Sequence, residues 1–162
     1  MTATNHTLTG AVIALTLKNP ALAVPLAFVS HFVLDAIPHF GVPPGQLVLK
    51  KYYKIVAADL TTAALLAGIL LIMFNNHFWL VFGCMALSAG PDIVWWFYRK
   101  NLEKDNKTGL DLLTRFHWWI QWKEFSKGIY IEVAWFIAMG AIILNLRWKS
   151  RLSRSRLKIL SG

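Results

Sequence analysis

The sequence predicts an all-α integral membrane bundle of four or five hydrophobic helices, with one further amphipathic helix at the membrane surface. Of the 162 residues, 56% are hydrophobic and only 15% are charged, whereas about a quarter of a typical soluble domain is charged. The apolar residues are gathered in long runs, and some reach the roughly 20 residues that cross a bilayer. The length fits a single membrane domain, residues 1–162, in which residues 146–162 form a basic juxtamembrane tail.

The first two apolar runs predict a tight helical hairpin. Leu8–Leu17 is too short to span a bilayer alone, and Lys18-Asn19-Pro20 separates it from Ala21–Ile37. Proline suits the first turn of a helix, so the second helix is expected to begin there. It is expected to end at Pro38, because the residue before a proline is disfavoured in a helix. A loop at Gly41–Gly45 follows.

The remaining elements follow from run length and polarity. Ile55–Phe74 and Phe78–Tyr98 have the length of membrane spans. Gly109–Lys127 mixes aromatic with charged and polar residues, as helices at a membrane surface do. Gly128–Leu146 is the last apolar run, and Arg147–Lys158 is basic and contains no acid.

The net charge of +9 would suggest nucleic acid in a soluble protein. Here the bases lie between and after apolar runs, as the flanks of membrane spans do. The expected partner is therefore the lipid bilayer rather than nucleic acid, although a phosphate-bearing substrate could use the same charge. The basic segments Lys50–Lys54 and Arg99–Lys127 place their end of the bundle in the cytoplasm. A fifth crossing would put the basic tail outside, so we expect that the last helix does not cross.

The stretch Ser30–Phe40 stands out because it carries a carboxylate and two histidines in apolar surroundings. His31 and Asp35 are four residues apart, so they share one helix face, and His39 follows after the helix end. Burial of such groups is unfavourable without compensation, which a divalent metal would supply. The single cysteine, Cys84, excludes a CxxC site, so any ligands must be histidines and carboxylates.

Threading the helices up and down places further polar residues at this same end. Ionisable residues in apolar segments are rare and usually face a bundle interior. The candidate metal ligands are His6, His31, Asp35, His39, Asp92 and His117. Asp59 and Glu132 are candidate catalytic bases, and Gln121 is a candidate contact to substrate or to the ligands. Zinc is the expected metal, with manganese or iron as alternatives, and the number of ions stays open.

Each candidate also has an ordinary structural interpretation. His31 and Asp35 could form a histidine–carboxylate pair without a metal, and His39 could be a loop histidine at the membrane surface. Asp59 could equally contact the ligands rather than act as a base, and Glu132 could pair with Lys127 or Lys123.

Three sequence elements resemble the membrane-bound metal-dependent hydrolases of prokaryotes. They are His6 with the Thr7–Gly10 segment after it, Ser30–Phe40, and Gly90-Pro91-Asp92. That family is distantly similar to the all-helical zinc-dependent phospholipase C and single-strand nuclease group, whose helices carry H-x-x-x-D or H-x-x-x-E pairs around a zinc cluster. The resemblance implies a prokaryotic inner-membrane location and metal binding at His6, His31, Asp35, Asp92 and His117. The chain lacks the Asp-x-Asp-His and Arg-Gly-x-Thr-His-Ser elements of such proteins, and both departures bear on catalysis more than on metal binding.

These observations predict a metal-dependent hydrolase of a phosphoester, such as a lipid or a nucleotide, at the membrane surface. The alternative is a non-catalytic metal-binding or scaffold membrane protein. A small transporter would place its polar residues near the bilayer midplane, which clustering at one end disfavours.

Overall fold

The described part of the chain is helical. The computed structural model describes residues 1–41, 49–95, 97–98, 108–121 and 124–160, and within these ranges it contains no strand, only an isolated bridge between His39 and Glu124. The α-helices are α1 (Ala3–Leu17), α2 (Pro20–Ala36), α3 (Leu49–Met73), α4 (Phe78–Ala89), α5 (Leu112–Ile120) and α6 (Ile129–Leu160), and residues 94–95 and 97–98 are α-helical as well. Short 3-10 turns lie at Asn75–His77, Gly90–Ile93 and Ser126–Gly128. The predicted all-α class is confirmed.

The predicted hairpin of α1 and α2 is present, and local chemistry explains its tight connection. Lys18 adopts a left-handed conformation with φ 54°, and its N–H bonds the carbonyl of Ala14, which ends α1. The Asn19 side chain then accepts a hydrogen bond from the N–H of Ala21, and Pro20 occupies the first turn of α2. Two residues are thus enough to reverse the chain.

Helix α1 lies at the centre of the bundle, where it packs against α2, α3, α4 and α6. It approaches α4 closely at Gly10, where an added Cβ atom would lie 2.4 Å from the carbonyl oxygen of Cys84. Leu8 and Ala11 of α1 join Val81 of α4 in the buried core. Small residues at this crossing therefore let the two backbones approach closely.

Within the described part of the chain, two helices are long and apolar enough to cross a membrane. Their candidate spans are Tyr53–Met73 on α3 and Ser126–Ser153, which includes most of α6, and the most apolar stretch of each is only 11% buried inside the protein. Large apolar side chains such as Leu65 and Leu144 point outward, each 65% exposed. Outward apolar faces of this kind fit a lipid environment. The multi-span bundle beyond these two helices remains a prediction.

The predicted span Phe78–Tyr98 is interrupted, because the Gly90–Ile93 turn separates α4 from further α-helical residues at 94–95 and 97–98. Helix α4 has only 12 residues, about 18 Å at the rise of an α-helix, against about 30 Å of hydrocarbon. The helix stops where the Gly90–Ile93 turn begins, because Pro91 cannot supply the N–H that continues an α-helical ladder. This early end places Asp92 on a turn rather than inside a span.

Other predicted boundaries shift as well. Helix α1 begins at Ala3 instead of Leu8, since carboxylates from other helices bind its first N–H groups, as described below. The amphipathic segment 109–127 forms a nine-residue helix, Leu112–Ile120. The basic segment after Leu146 is not a separate tail, because α6 continues to Leu160. The predicted loop Gly41–Gly45 lies mostly outside the described residues.

The α1–α4 contact is tested by Gly10→Ala. The added methyl group would overlap the backbone of Cys84, so we expect a loss of about 1–3 kcal/mol in the free energy of unfolding and a lower Tm. Gly140→Ala on α6 is the matched control, because a Cβ there meets nothing within 4 Å. The control should keep the Tm or raise it slightly, since alanine favours helices. Equal Tm values for the two variants would contradict the close packing.

Candidate metal centre

Four side chains that could bind a metal ion meet at one end of the bundle. His31 and Asp35 lie near the end of α2, Asp92 lies on the turn after α4, and His117 lies on α5. One ligand atom from each residue lies within 4.8 Å of the corresponding atoms of the other three. The fold thus brings together residues as far as 86 positions apart in the sequence.

The separations between these atoms resemble the edges of a tetrahedron around a small ion. The Nε2 atoms of His31 and His117 are 3.0 Å apart, and Asp35 Oδ2 lies 3.3 Å from the first and 2.7 Å from the second. Asp92 Oδ1 lies 3.7 Å from the first nitrogen and 3.6 Å from the second. Ligand bonds near 2.1 Å place tetrahedral ligand atoms about 3.4 Å apart. One ion could therefore contact all four.

The backbone of α4 orients His31. Its Nδ1 lies 2.8 Å from the carbonyl oxygen of Ser88, which can only accept a hydrogen bond, so Nδ1 carries the proton. The neutral ring then presents the lone pair of Nε2 to the cluster. Metal-bound histidines commonly donate their second N–H to a carbonyl in this way. The ring of His6 stacks on His31 with 4.2 Å between centroids and holds it from the other side.

Asp35 is fully buried and has partners on both oxygens. Its Oδ2 faces the two histidines of the cluster and accepts a hydrogen bond from Gln121 Nε2 at 3.2 Å. Its Oδ1 lies 3.0 Å from His6 Nε2 and accepts a hydrogen bond from the amino group of Met1. A buried carboxylate without such partners would be strongly destabilising. These contacts favour the ionised form that metal binding requires.

Asp92 is the accessible member of the cluster. Its side chain is 29% exposed, against at most 1% for His31, Asp35 and His117. Desolvation by the surrounding protein raises the pKa of the Asp92 carboxyl, and the nearby Asp35 carboxylate raises it further. A cation between the two carboxylates would remove this repulsion. Solvent or a ligand would therefore reach the centre from the Asp92 side.

Helix α5 is capped so that His117 faces the cluster. Asp111 Oδ1 accepts a hydrogen bond from the N–H of Thr114 at 2.9 Å, and its Oδ2 accepts one from the Thr114 hydroxyl at 2.7 Å. These bonds hold the pKa of the Asp111 carboxyl below its usual range. The ring of Trp95 packs 4.9 Å from that of His117.

The candidate catalytic bases are Asp59 of α3 and Glu132 of α6, and the side chains of both contact the N-terminus of α1. Asp59 accepts hydrogen bonds from the N–H groups of Ala3 at 2.7 Å and Thr4 at 3.1 Å. Glu132 accepts them from the N–H and hydroxyl of Thr2 and from the side chain of Asn5, the last at 2.6 Å. The backbone N–H groups in the first turn of a helix have no partner within the helix, and a negative charge beside the N-terminus of a helix is favourable. The two carboxylates therefore fix the start of the helix that carries His6.

The other sequence candidates take different positions. His6 contacts Asp35 Oδ1 but lies outside the four-residue cluster, and Gln121 lies 3.3 Å from His117 at the edge of the cluster. His39 lies outside it too, since its Nδ1 bonds the carbonyl of Ile37 and its Nε2 is 3.6 Å from Glu124.

Several features of the site could not be predicted from the sequence. The Ser88 carbonyl is a main-chain group, and main-chain contacts between helices leave no pattern in the sequence. The side chains of Asn5 and His6 have one buried polar atom each, Oδ1 and Nδ1, without a hydrogen-bond partner in the described structure. Such atoms usually bind water or an ion.

The donor set can bind a divalent metal. Two imidazole nitrogens and two carboxylates suit zinc, and iron or manganese accept the same ligands. No protein-family model, curated protein or solved structure matches this chain. The functional argument therefore rests on the residues and geometry described above.

The role of Glu132 at the start of α1 is tested by Glu132→Gln. The amide would place an NH2 group against donors that now face a carboxylate, so we expect a loss of about 1–3 kcal/mol in the free energy of unfolding. Metal content should stay near that of the wild type, because Glu132 is not among the four clustered residues. Glu124→Gln, which alters the contact to His39, is the control and should lower the free energy of unfolding by less. An unchanged Tm together with lost metal would contradict the anchoring role.

Proposed function

We propose that this chain is a membrane-embedded, metal-dependent hydrolase of phosphoesters. The observation that carries the proposal is the set of five separations of 2.7–3.7 Å among ligand atoms of His31, Asp35, Asp92 and His117. Four such groups in a largely buried position would repel or take up protons without a cation between them. We propose zinc as the ion, because its preferred ligands and distances fit this donor set best.

The chemistry proposed for the metal is the activation of a water molecule and the stabilisation of charge on a phosphoryl oxygen. The chain's own residues would supply the surroundings. Gln121 lies beside Asp35 and His117, so its amide could hold a substrate oxygen at the edge of the centre. The partial exposure of Asp92 leaves a side from which a phosphoester could enter.

The proposal places the centre at a membrane surface. Support comes from α3 and α6, which contain the two candidate spans, and from their contacts to the centre through α1. We propose several crossings of a prokaryotic inner membrane, with the metal centre on the cytoplasmic side. The basic segments Lys50–Lys54 and Arg99–Lys127 support this orientation.

A non-catalytic metal site is the second candidate. Its supporting observation is the burial of three of the four ligand side chains to 1% exposure or less. Structural metal sites are typically closed, whereas catalytic sites keep one position open to substrate. The two candidates therefore differ in whether the exposed side at Asp92 admits a reactant.

Metal content tests the centre. In full-length protein purified in detergent, we expect about one zinc per chain, and His31→Ala and Asp35→Asn should each reduce this at least about tenfold, as the loss of a direct ligand does. His77→Ala is a matched control, because this histidine lies at the 3-10 turn after α3.

His39→Ala separates the sequence prediction from the structure. It should keep its metal, since His39 lies outside the cluster. Equal and negligible metal in the wild type and all variants would refute the centre.

Hydrolysis distinguishes the two candidate functions. We expect the zinc-loaded protein to hydrolyse bis-p-nitrophenyl phosphate or p-nitrophenyl phosphate, and His31→Ala to lower kcat/KM at least about tenfold. His77→Ala should behave as the wild type does. Metal-loaded protein that hydrolyses neither ester would favour the non-catalytic site. Equal activity in wild type and Asp35→Asn would indicate a contaminating enzyme.

A further inference from the structure

A second polar feature lies at the other end of the bundle. A cleft of about 220 Å³ opens between the end of α3, the Asn75–His77 turn and the later part of α6. Its lining residues are Met73, Phe74, Asn76, His77, Arg147, Ser150 and Arg151. The cleft lies roughly 20 Å along α3 and α6 from Asp59 and Glu132, at 1.5 Å per residue. It is therefore separate from the metal centre.

The charge of the cleft is unbalanced. Arg147 and Arg151 are four residues apart on α6, so their like charges lie on one helix face and repel. No ion pair within the described ranges includes either arginine. The last acidic residue of the sequence is Glu132, so α6 carries no carboxylate near them. An anion in the cleft would offset this repulsion.

The lining groups match the oxygens of a phosphate. Each guanidinium offers several N–H donors in a planar fork that fits phosphate oxygens. The hydroxyl of Ser150 and the side-chain amide of Asn76 can donate as well, and none of the described lining residues is a carboxylate. This combination favours a tetrahedral anion over a metal ion or an apolar ligand.

The surroundings indicate that the phosphate belongs to a lipid. Both candidate spans reach the cleft, since one ends at Met73 and the other extends to Ser153. Apolar side chains close to it are exposed, with Ile72 at 79% and Leu144 at 65%. Trp148, which is 63% exposed, follows Arg147 directly, and tryptophan is enriched at the level of lipid head groups. Acyl chains could thus lie on α3 and α6 while the head group enters the cleft.

We propose that this cleft binds the phosphate group of an anionic phospholipid. Arg147 and Arg151 hold the phosphate, Ser150 and Asn76 donate further hydrogen bonds, and the acyl chains follow the exposed apolar faces of α3 and α6. The inference shares with the proposed function only the placement in a membrane. It does not depend on the metal centre or on hydrolysis.

Lipid binding by the full-length protein in detergent micelles tests the proposal. Dioleoyl phosphatidylglycerol is titrated against the wild type, with dioleoyl phosphatidylcholine and inorganic phosphate at matched ionic strength as separate arms. We expect the wild type to bind phosphatidylglycerol more tightly than phosphatidylcholine or inorganic phosphate. The double variant Arg147→Gln/Arg151→Gln should bind phosphatidylglycerol about tenfold or more weakly than the wild type does. The control is Lys18→Gln/Lys149→Gln, which removes the same charge outside the cleft. It should change the affinity less than twofold.

Three results would overturn the proposal: equal loss of affinity in the two double variants, equal binding of the two lipids, or inorganic phosphate bound as tightly as phosphatidylglycerol. Zinc content and Tm are measured on every variant, so that failure of the metal centre is distinguished from failure of lipid binding. If the double variant unfolds, Arg151→Gln alone replaces it, because Arg151 is exposed. That single variant should still weaken phosphatidylglycerol binding more than Lys149→Gln does.

Discussion

The structure depends on one buried carboxylate. Asp35 has no exposed surface, and its two oxygens take partners from three parts of the chain. His6 reaches it from α1, His31 from its own helix, and His117 from α5. Because a carboxylate buried without partners is strongly unfavourable, these elements must assemble around it together. The same requirement brings together the four side chains that could bind a metal ion.

Helix α1 connects this centre to the two longest helices. Its first N–H groups are bound by Asp59 of α3 and Glu132 of α6. The indole of Trp135 on α6 also donates a hydrogen bond to the hydroxyl of Thr9 at 2.9 Å. Both candidate membrane spans are thus attached to the helix that carries His6. Two carboxylates that are costly in an apolar helix are stabilised here by the positive end of another helix.

The sequence predicts the part of the site that depends on the spacing of residues along the chain. His31 and Asp35 could be paired because a four-residue interval fixes their relation on a helix. Asp92 and His117 could be placed at the same end because successive helices alternate in direction. The surroundings of Asp59, by contrast, depend on where the end of another helix lies.

The surroundings of Asp59 and His39 could not be predicted because both depend on contacts with distant parts of the chain. Nothing local in the sequence encodes a contact between a side chain and the first amides of a distant helix. The position of His39 depends in the same way on its bridge to Glu124.

The fold class followed from composition, whereas the helix ends depended on packing and caps. The Gly90–Ile93 turn ends α4 inside a run whose hydropathy alone suggested a full span. Helix α6 extends through a basic segment in which composition suggested a change of structure, and nothing in that segment breaks a helix. Hydrophobic run length therefore indicated the presence of these helices better than their length.

The distribution of the four clustered residues along the chain has a consequence for folding. A chain with a single cysteine cannot form an internal disulfide, yet an ion bound at this centre would cross-link α2, the turn after α4 and α5. These residues are as far as 86 positions apart and come together only when the chain folds, so an ion would bind the folded chain far more tightly than the unfolded chain. Binding free energy at such a site becomes folding free energy. An ion would thus reinforce the contact between His117 of the nine-residue α5 and Asp35 of α2.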